Sequence, residues 1–306
     1  MSAPFRSLPS AAVIEAAMPD GAVLPVYRMA GPAGAPPLLF GHANGMAAGS
    51  YEPWLRMLAE RTEVFAFDAR GHGGSIWPEG AIATVFAVDR IADDLLHLTR
   101  AVAAATGAQE LAFVGHSLGA AAALRLLALG RAPQWRVVVA FEPPIFPPPG
   151  TAAHAEAVEK QRRLVEGTLK RREHWASPEA LAERLKGRGM FARFEPAMLA
   201  AHCRATLRPD DGGGFRLCCP PAVESFIFKS QSEADTWHRL GLIARDVTLV
   251  GGDAAIPDND WVSSALPEMA AVMPRARFVP MRCTGHLLIS EQPRRCAELV
   301  WDALRA

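Results

Sequence analysis

The sequence predicts an α/β fold, a mostly parallel sheet with helices on both faces and a helical insertion in its second half. Three observations predict it. Short apolar runs of strand length alternate with amphipathic helices as far as Phe141. A proline cluster then breaks the rhythm, and the alternation returns near residue 245.

An Asp20-Gly21 turn precedes Ala-Val-Leu-Pro-Val-Tyr-Arg-Met at 22–29, which reads as one arm of an early hairpin. Buried-strand candidates follow at Leu38-Leu39-Phe40, Val64-Phe65-Ala66-Phe67, Leu111-Ala112-Phe113-Val114 and Val137–Phe141. Among the intervening helices, Val88, Ile91, Leu95, Leu98 and Val102 fall on one stripe at helical spacing. Beyond Phe141, Pro143, Pro144, Pro147, Pro148, Pro149 and Gly150 form a linker. The next stretch, to about 240, is helical and strongly charged, with Glu159 four residues before Arg163 and Glu166 four before Lys170. Ser177-Pro178-Glu179 starts a helix, with serine at the cap and proline at the first helical position. Asp210 to Gly214 is a surface turn. Val247–Val250 and Arg277–Met281 are the last strands, and 293–305 a closing helix. One core, 1–145 and 241–306, interrupted by an insertion at 146–240, explains this pattern better than two tandem domains.

The composition excludes several classes of function. The 306 residues suffice for one large α/β core, and half are hydrophobic with 21% charged, as in a globular protein. Thirty-two basic residues balance thirty-two acidic ones, so nothing draws the chain to nucleic acid or an anionic membrane. No uncharged apolar run approaches the ~18–20 residues of a membrane span. Arg6 and Glu15 make the first eighteen residues a poor signal peptide. Five cysteines (Cys203, Cys218, Cys219, Cys283, Cys296) match no zinc-ligand spacing and read as small buried hydrophobes in a reducing compartment. The expectation is a cytoplasmic protein acting on a small molecule, with no metal and no organic cofactor. Homo-oligomerisation is left open.

Gly115-His116-Ser117-Leu118-Gly119 matches G-x-S-x-G, a weak signal alone. Its setting strengthens it, because it joins the apolar run ending at Val114 to an Ala/Leu-rich helix. A sharp turn there holds the serine out at the sheet edge, and side chains at 115 and 119 would collide with neighbouring backbone. The helix directs free N–H groups and its positive dipole end towards developing negative charge.

Four motifs in order make the chain resemble the α/β-hydrolase superfamily, in the serine hydrolase and esterase branch that carries a helical cap. They are Gly41-His42-Ala43-Asn44-Gly45, Asp68-Ala69-Arg70-Gly71-His72-Gly73-Gly74-Ser75, the serine turn, and Thr284-Gly285-His286. The resemblance covers 20–142 and 245–306 and is weak in the cap.

Serine needs a neighbouring imidazole to take its proton. Of nine histidines, only His286 lies beyond the last strand, and the order Ser, Asp, His is the one the fold uses. Asp253, ending Val247 to Gly252, holds the position from which the family's acid reaches that histidine. Asp258 and Asp260 share its loop, and Glu142 closes an earlier strand where some relatives carry their acid. For the oxyanion the resemblance implies the amide of Leu118 and one from the loop after Phe40, with Asn44 preferred over Ala43. Asp68 and Arg70 read as braces without a catalytic role. Of Phe191, Phe194, Met190, Met198, Phe226, Phe228 and Trp237 in the insertion, most are expected to pack internally and some to face a hydrophobic substrate group. The basic runs Arg162-Arg163 and Lys170-Arg171-Arg172 read as a solvated face.

The expected reaction is hydrolysis of a carboxylic ester through an acyl-serine, declining in acid as the histidine protonates. Carbon–carbon or amide hydrolysis by the same triad is the alternative within enzymes. A non-catalytic binding protein is the alternative outside them. Dehalogenases and epoxide hydrolases are disfavoured, since they need aspartate where this chain has Ser117.

Overall fold

A computed structural model describes residues 4–131, 134–256 and 261–305. The strands are Ala12–Ala17 (β1), Val23–Met29 (β2), Pro37–Gly41 (β3), Glu63–Phe67 (β4), Leu111–His116 (β5), Trp135–Phe141 (β6), His174–Trp175 (β7), Leu207–Pro209 (β8), Phe215–Leu217 (β9), Val247–Gly251 (β10) and Ala276–Pro280 (β11). The helices are Glu52–Ala59 (α1), Ile82–Val85 (α2), Val88–Thr106 (α3), Leu118–Ala128 (α4), Ala152–Leu169 (α5), Pro178–Leu185 (α6), Pro196–Ala205 (α7), Pro221–Ser232 (α8), Trp261–Val272 (α9), Leu288–Glu291 (α10) and Pro293–Arg305 (α11).

Eight strands form one sheet in the order β1-β2-β4-β3-β5-β6-β10-β11. The expected hairpin is β1 with β2; β2 also runs antiparallel to β4, and every later neighbour is parallel. Because side chains alternate across a strand, each continuous apolar run feeds two cores. Leu39, Phe113, Val138 and Leu249 join the stripe Ile91, Leu95, Leu98 and Val102 of α3 on one face. Leu38, Phe40, Val114, Val139 and Phe141 meet Trp54 of α1 and Val300 and Trp301 of α11 on the other. Fully burying one such aliphatic side chain contributes about 1.5–3 kcal/mol, which is why these short runs hold as strands without polar alternation.

Between β6 and β10 lie α5 to α8 and a separate three-stranded sheet, β7-β9-β8. The helices match the sequence pattern, but the small sheet does not: its strands are two or three residues long, too short for periodicity to register. The Asp210–Gly214 turn links β8 to β9. Ser177 caps α6 by accepting the Ala180 amide at 3.2 Å. Glu159 pairs with Arg163 as expected, whereas Glu166 pairs with Arg162. No helix among the described residues is long and apolar enough to cross a membrane. Four of the cysteines are buried, and Cys283 is exposed.

Candidate active site

Parallel strands bring their carboxyl ends to one edge, and the residues following β3, β5, β6, β10 and β11 meet there. Ser117, between β5 and α4, has φ 50° and ψ −110°, a conformation costly for any residue with a Cβ. The glycines around it are required by contact. A Cβ on Gly115 would stand 2.5 Å from the Ala120 nitrogen, and one on Gly119 would stand 2.3 Å from the Gly41 carbonyl oxygen. The Gly119 amide also donates to the His42 carbonyl at 3.1 Å, fastening the start of α4 to the loop after β3.

His286 lies between β11 and α10. Its Nε2 is 3.0 Å from Ser117 Oγ, and its Nδ1 is 3.0 Å from Glu142 Oε2. A carboxylate only accepts, so the ring proton sits on Nδ1 and Nε2 faces the Ser117 hydroxyl as an acceptor. A Cβ on Gly285 would meet the far end of the Arg193 side chain at 2.3 Å.

The carboxylate at hydrogen-bond distance from the imidazole is Glu142, the alternative acid of the sequence reading, while the described contacts of Asp253 lie on the neighbouring backbone. Glu142 follows β6, is fully buried, and adopts φ 48°. Its Oε1 accepts from the Gly252 amide and the Ser263 hydroxyl, each at 2.6 Å. A Cβ on Gly252 would lie 2.7 Å from the Gly285 carbonyl oxygen, so this strand end lies directly against the histidine loop. The Asp253 carboxylate accepts from the amides of Cys283 and Ala255, which hold its pKa below the usual carboxylate value. Its own amide donates to the Thr284 carbonyl at 2.7 Å. Asp253 thus ties down the loop carrying His286. Asp258 and Asp260, the other candidates, lie outside the described residues.

Of the two amides considered beside Leu118, that of Ala43 is taken by the Tyr51 hydroxyl at 3.3 Å. The amides of Asn44 and Leu118 donate to no backbone or side-chain acceptor among the described residues. The Asn44 side chain is occupied: Nδ2 donates to the Glu224 carbonyl at 2.9 Å, bridging the core to α8.

The second long motif is structural, as expected. Buried Asp68 accepts from Ser7, Tyr27, Ala48 and Gly74, and buried Arg70 bridges Asp94 and Asp20. His42, His72 and His116 each donate through one ring nitrogen to a carbonyl and accept through the other. The acceptor nitrogens take the Ala69 amide, the Gly45 amide and the Tyr51 hydroxyl respectively. Burial lowers their pKa values to about 4, 3 and 3.

A cavity of about 580 Å³ is lined by Ser117, His286 and residues of the segment between β6 and β10. Met190, Phe191 and Phe228 line it, while Phe194, Met198 and Trp237 are buried in the packing and Phe226 is partly buried against it. Arg171 departs from the expected solvated face. It pairs with buried Glu224 at 2.5–2.6 Å and borders the cavity. Arg193, Glu224, Glu291, His202 and Ser263 gave no sequence signal, because each matters through contacts distant in the chain.

His202 provides a test of the cavity's interior. Burial lowers its pKa to about 3, against ~6.5 for an unfolded histidine. Below pH 6.5 the unfolded chain binds a proton that the native site refuses, so stability is fully present above that pH and lost as pH falls towards 3. Each such imidazole contributes about 1.4 kcal/mol per pH unit within the window. In urea unfolding, wild type should therefore lose more stability between pH 7.5 and 5.5 than His202→Leu. An identical loss in both would refute the buried neutral imidazole.

A sequence model of the alpha/beta hydrolase family matches residues 38–299. The chain belongs to the alpha/beta hydrolase family. Solved structures of this hydrolase fold extend over nearly its whole length. E-2-(acetamidomethylene)succinate hydrolase is 22% identical, with a TM-score of 0.76 over 96% of this chain and 100% of the other. A thioesterase domain from the curacin biosynthetic pathway is 20% identical, with a TM-score of 0.72 over 95% and 99%. An esterase from Exiguobacterium antarcticum is 16% identical, with a TM-score of 0.69 over 97% and 100%. At these identities the likeness speaks for the fold.

Proposed function

We propose that this hydrolase cleaves a carboxylic ester through an acyl-serine intermediate, and that residues 146–240 act as a cap over its cavity. The observation that carries the reading is the unbroken line from Ser117 Oγ through His286 to Glu142, at 3.0 Å for each contact. Ser117 attacks the ester carbonyl while its proton passes to His286 Nε2, and Glu142 stabilises the imidazolium. The Leu118 and Asn44 amides stabilise the tetrahedral oxyanion. Collapse of that intermediate breaks the carbon–oxygen bond, and the leaving alkoxide takes the proton from His286. Water then repeats the sequence against the acyl-serine, releasing the acid and restoring the serine. Apolar side chains on the cavity wall suit a hydrophobic portion of the substrate.

A fluorophosphonate probe tests the reading directly. Peptide mass spectrometry should find the phosphonyl adduct on Ser117 in native protein and not in protein unfolded beforehand. An adduct elsewhere, or none, would refute the nucleophile.

A further inference from the structure

Two arginines border the cavity, each paired with a more deeply buried carboxylate that also lines it. Arg193, between Phe191 and α7, donates from Nε to Glu291 Oε2 at 2.9 Å. The Arg193 side chain is 35% exposed and its partner 3%. Its forked end, Nη1 and Nη2, donates to no group among the described residues, and Nη2 lies against Gly285, next to His286. Arg171 repeats the arrangement across the cavity, beside Gly45. It is 31% exposed against 6% for Glu224, and only Nη1 is engaged. In both pairs the cation faces the open space. Lys160 and Arg163 also line the cavity, paired with Glu156 and Glu159.

A second, independent observation lies in the same cavity. His202 is 2% exposed, and both its ring nitrogens lack a hydrogen-bond partner. It stacks near Phe191 and Phe194, which fix the ring without satisfying it. Buried polar groups are nearly always paired, so an unanswered imidazole bordering a cavity marks where a ligand atom belongs.

We propose that the substrate carries a carboxylate, gripped by the Arg193 fork and by His202 while Ser117 attacks the ester carbonyl. This rests on the ester-hydrolase reading of the same site. A planar guanidinium with two parallel N–H groups free matches the two oxygens of a carboxylate. The neutral imidazole adds one N–H donor. Glu291 and Glu224 do not oppose such an anion, since each is neutralised by the arginine it holds. The apolar wall then takes the methylene chain between the two carbonyl carbons.

The test compares nitrophenyl hemiglutarate with nitrophenyl valerate, which share acyl length and differ in the terminal carboxylate. Wild type should favour hemiglutarate in kcat/KM. Arg193→Gln should reduce the hemiglutarate-to-valerate ratio about ten- to hundredfold, with Arg193→Lys intermediate. Glutarate should raise the Tm of Ser117→Ala protein, and not when Arg193→Gln is added. A wild-type preference for valerate, or a ratio unmoved in Arg193→Gln, would overturn the proposal. If Arg193→Gln does not fold, the wild-type preference and the glutarate shift decide it. Arg193-dependent glutarate binding without cleavage of either ester would remove the ester-hydrolase reading and keep the carboxylate site. Cleavage of both esters without preference, and without glutarate binding, would do the reverse.

Discussion

Ser117→Ala should lower kcat for a nitrophenyl ester by about 10⁶, to the residual level that oxyanion donors and binding alone provide. The expected loss is this large because in the proposed mechanism the serine, its base and its acid act as one unit: without Oγ, His286 and Glu142 would have no proton to move and no nucleophile to activate. The fold should survive, since alanine at φ 50° removes one hydroxyl and leaves the turn. Urea unfolding that matches wild type, together with abolished turnover, is the expected pair of results. Undiminished turnover would remove the acyl-serine mechanism.

Glu142→Gln should cost about 10⁴ in kcat, the effect of losing the charge that orients a catalytic imidazole and stabilises its protonated form. A glutamine can still accept from Gly252 and Ser263, so the geometry should persist while the charge is gone. Asp253→Asn is the control. Its carboxylate receives the backbone amides of Ala255 and of Cys283, three residues before the ring. An asparagine can accept those bonds, and kcat should change less than about threefold, as expected for a group outside the hydrogen-bond line. If Asp253→Asn fell as far as Glu142→Gln, the order of the two acids would be the reverse of that proposed.

The difference between these acids marks how far the sequence was legible. Strand runs, the α3 stripe and the motif order are local patterns, and each maps onto an element of the sheet. Ser117 and His286 are singled out the same way, through a strand–turn–helix setting and a position beyond the last strand, and their side chains lie 3.0 Å apart. The choice between Glu142 and Asp253 was not local. It depends on how closely Gly252 approaches the Thr284–Gly285 backbone, and both carboxylates end strands at the same sheet edge. Strand-end position alone therefore ranks neither first. Arg193 and Glu291 are ninety-eight positions apart and meet only because residues 146–240 fold back over the histidine loop. No periodicity or motif reports that contact. His202 was equally silent, reading as one more histidine in a variable helix.

The close contact between Gly41 and Gly119 has a consequence for how the reaction barrier is lowered. It joins the loop bearing Asn44 to the helix bearing Leu118 into one rigid body, cemented by the bond from the Gly119 amide to the His42 carbonyl. The spacing between the two proposed oxyanion donors is then preorganised during folding, before any substrate arrives. Such donors need not reorient when charge develops, so their dipoles act at full strength in the transition state. A Cβ at Gly119, 2.3 Å from the Gly41 carbonyl oxygen, would wedge that body apart, separating catalytic loss from any loss of substrate contact.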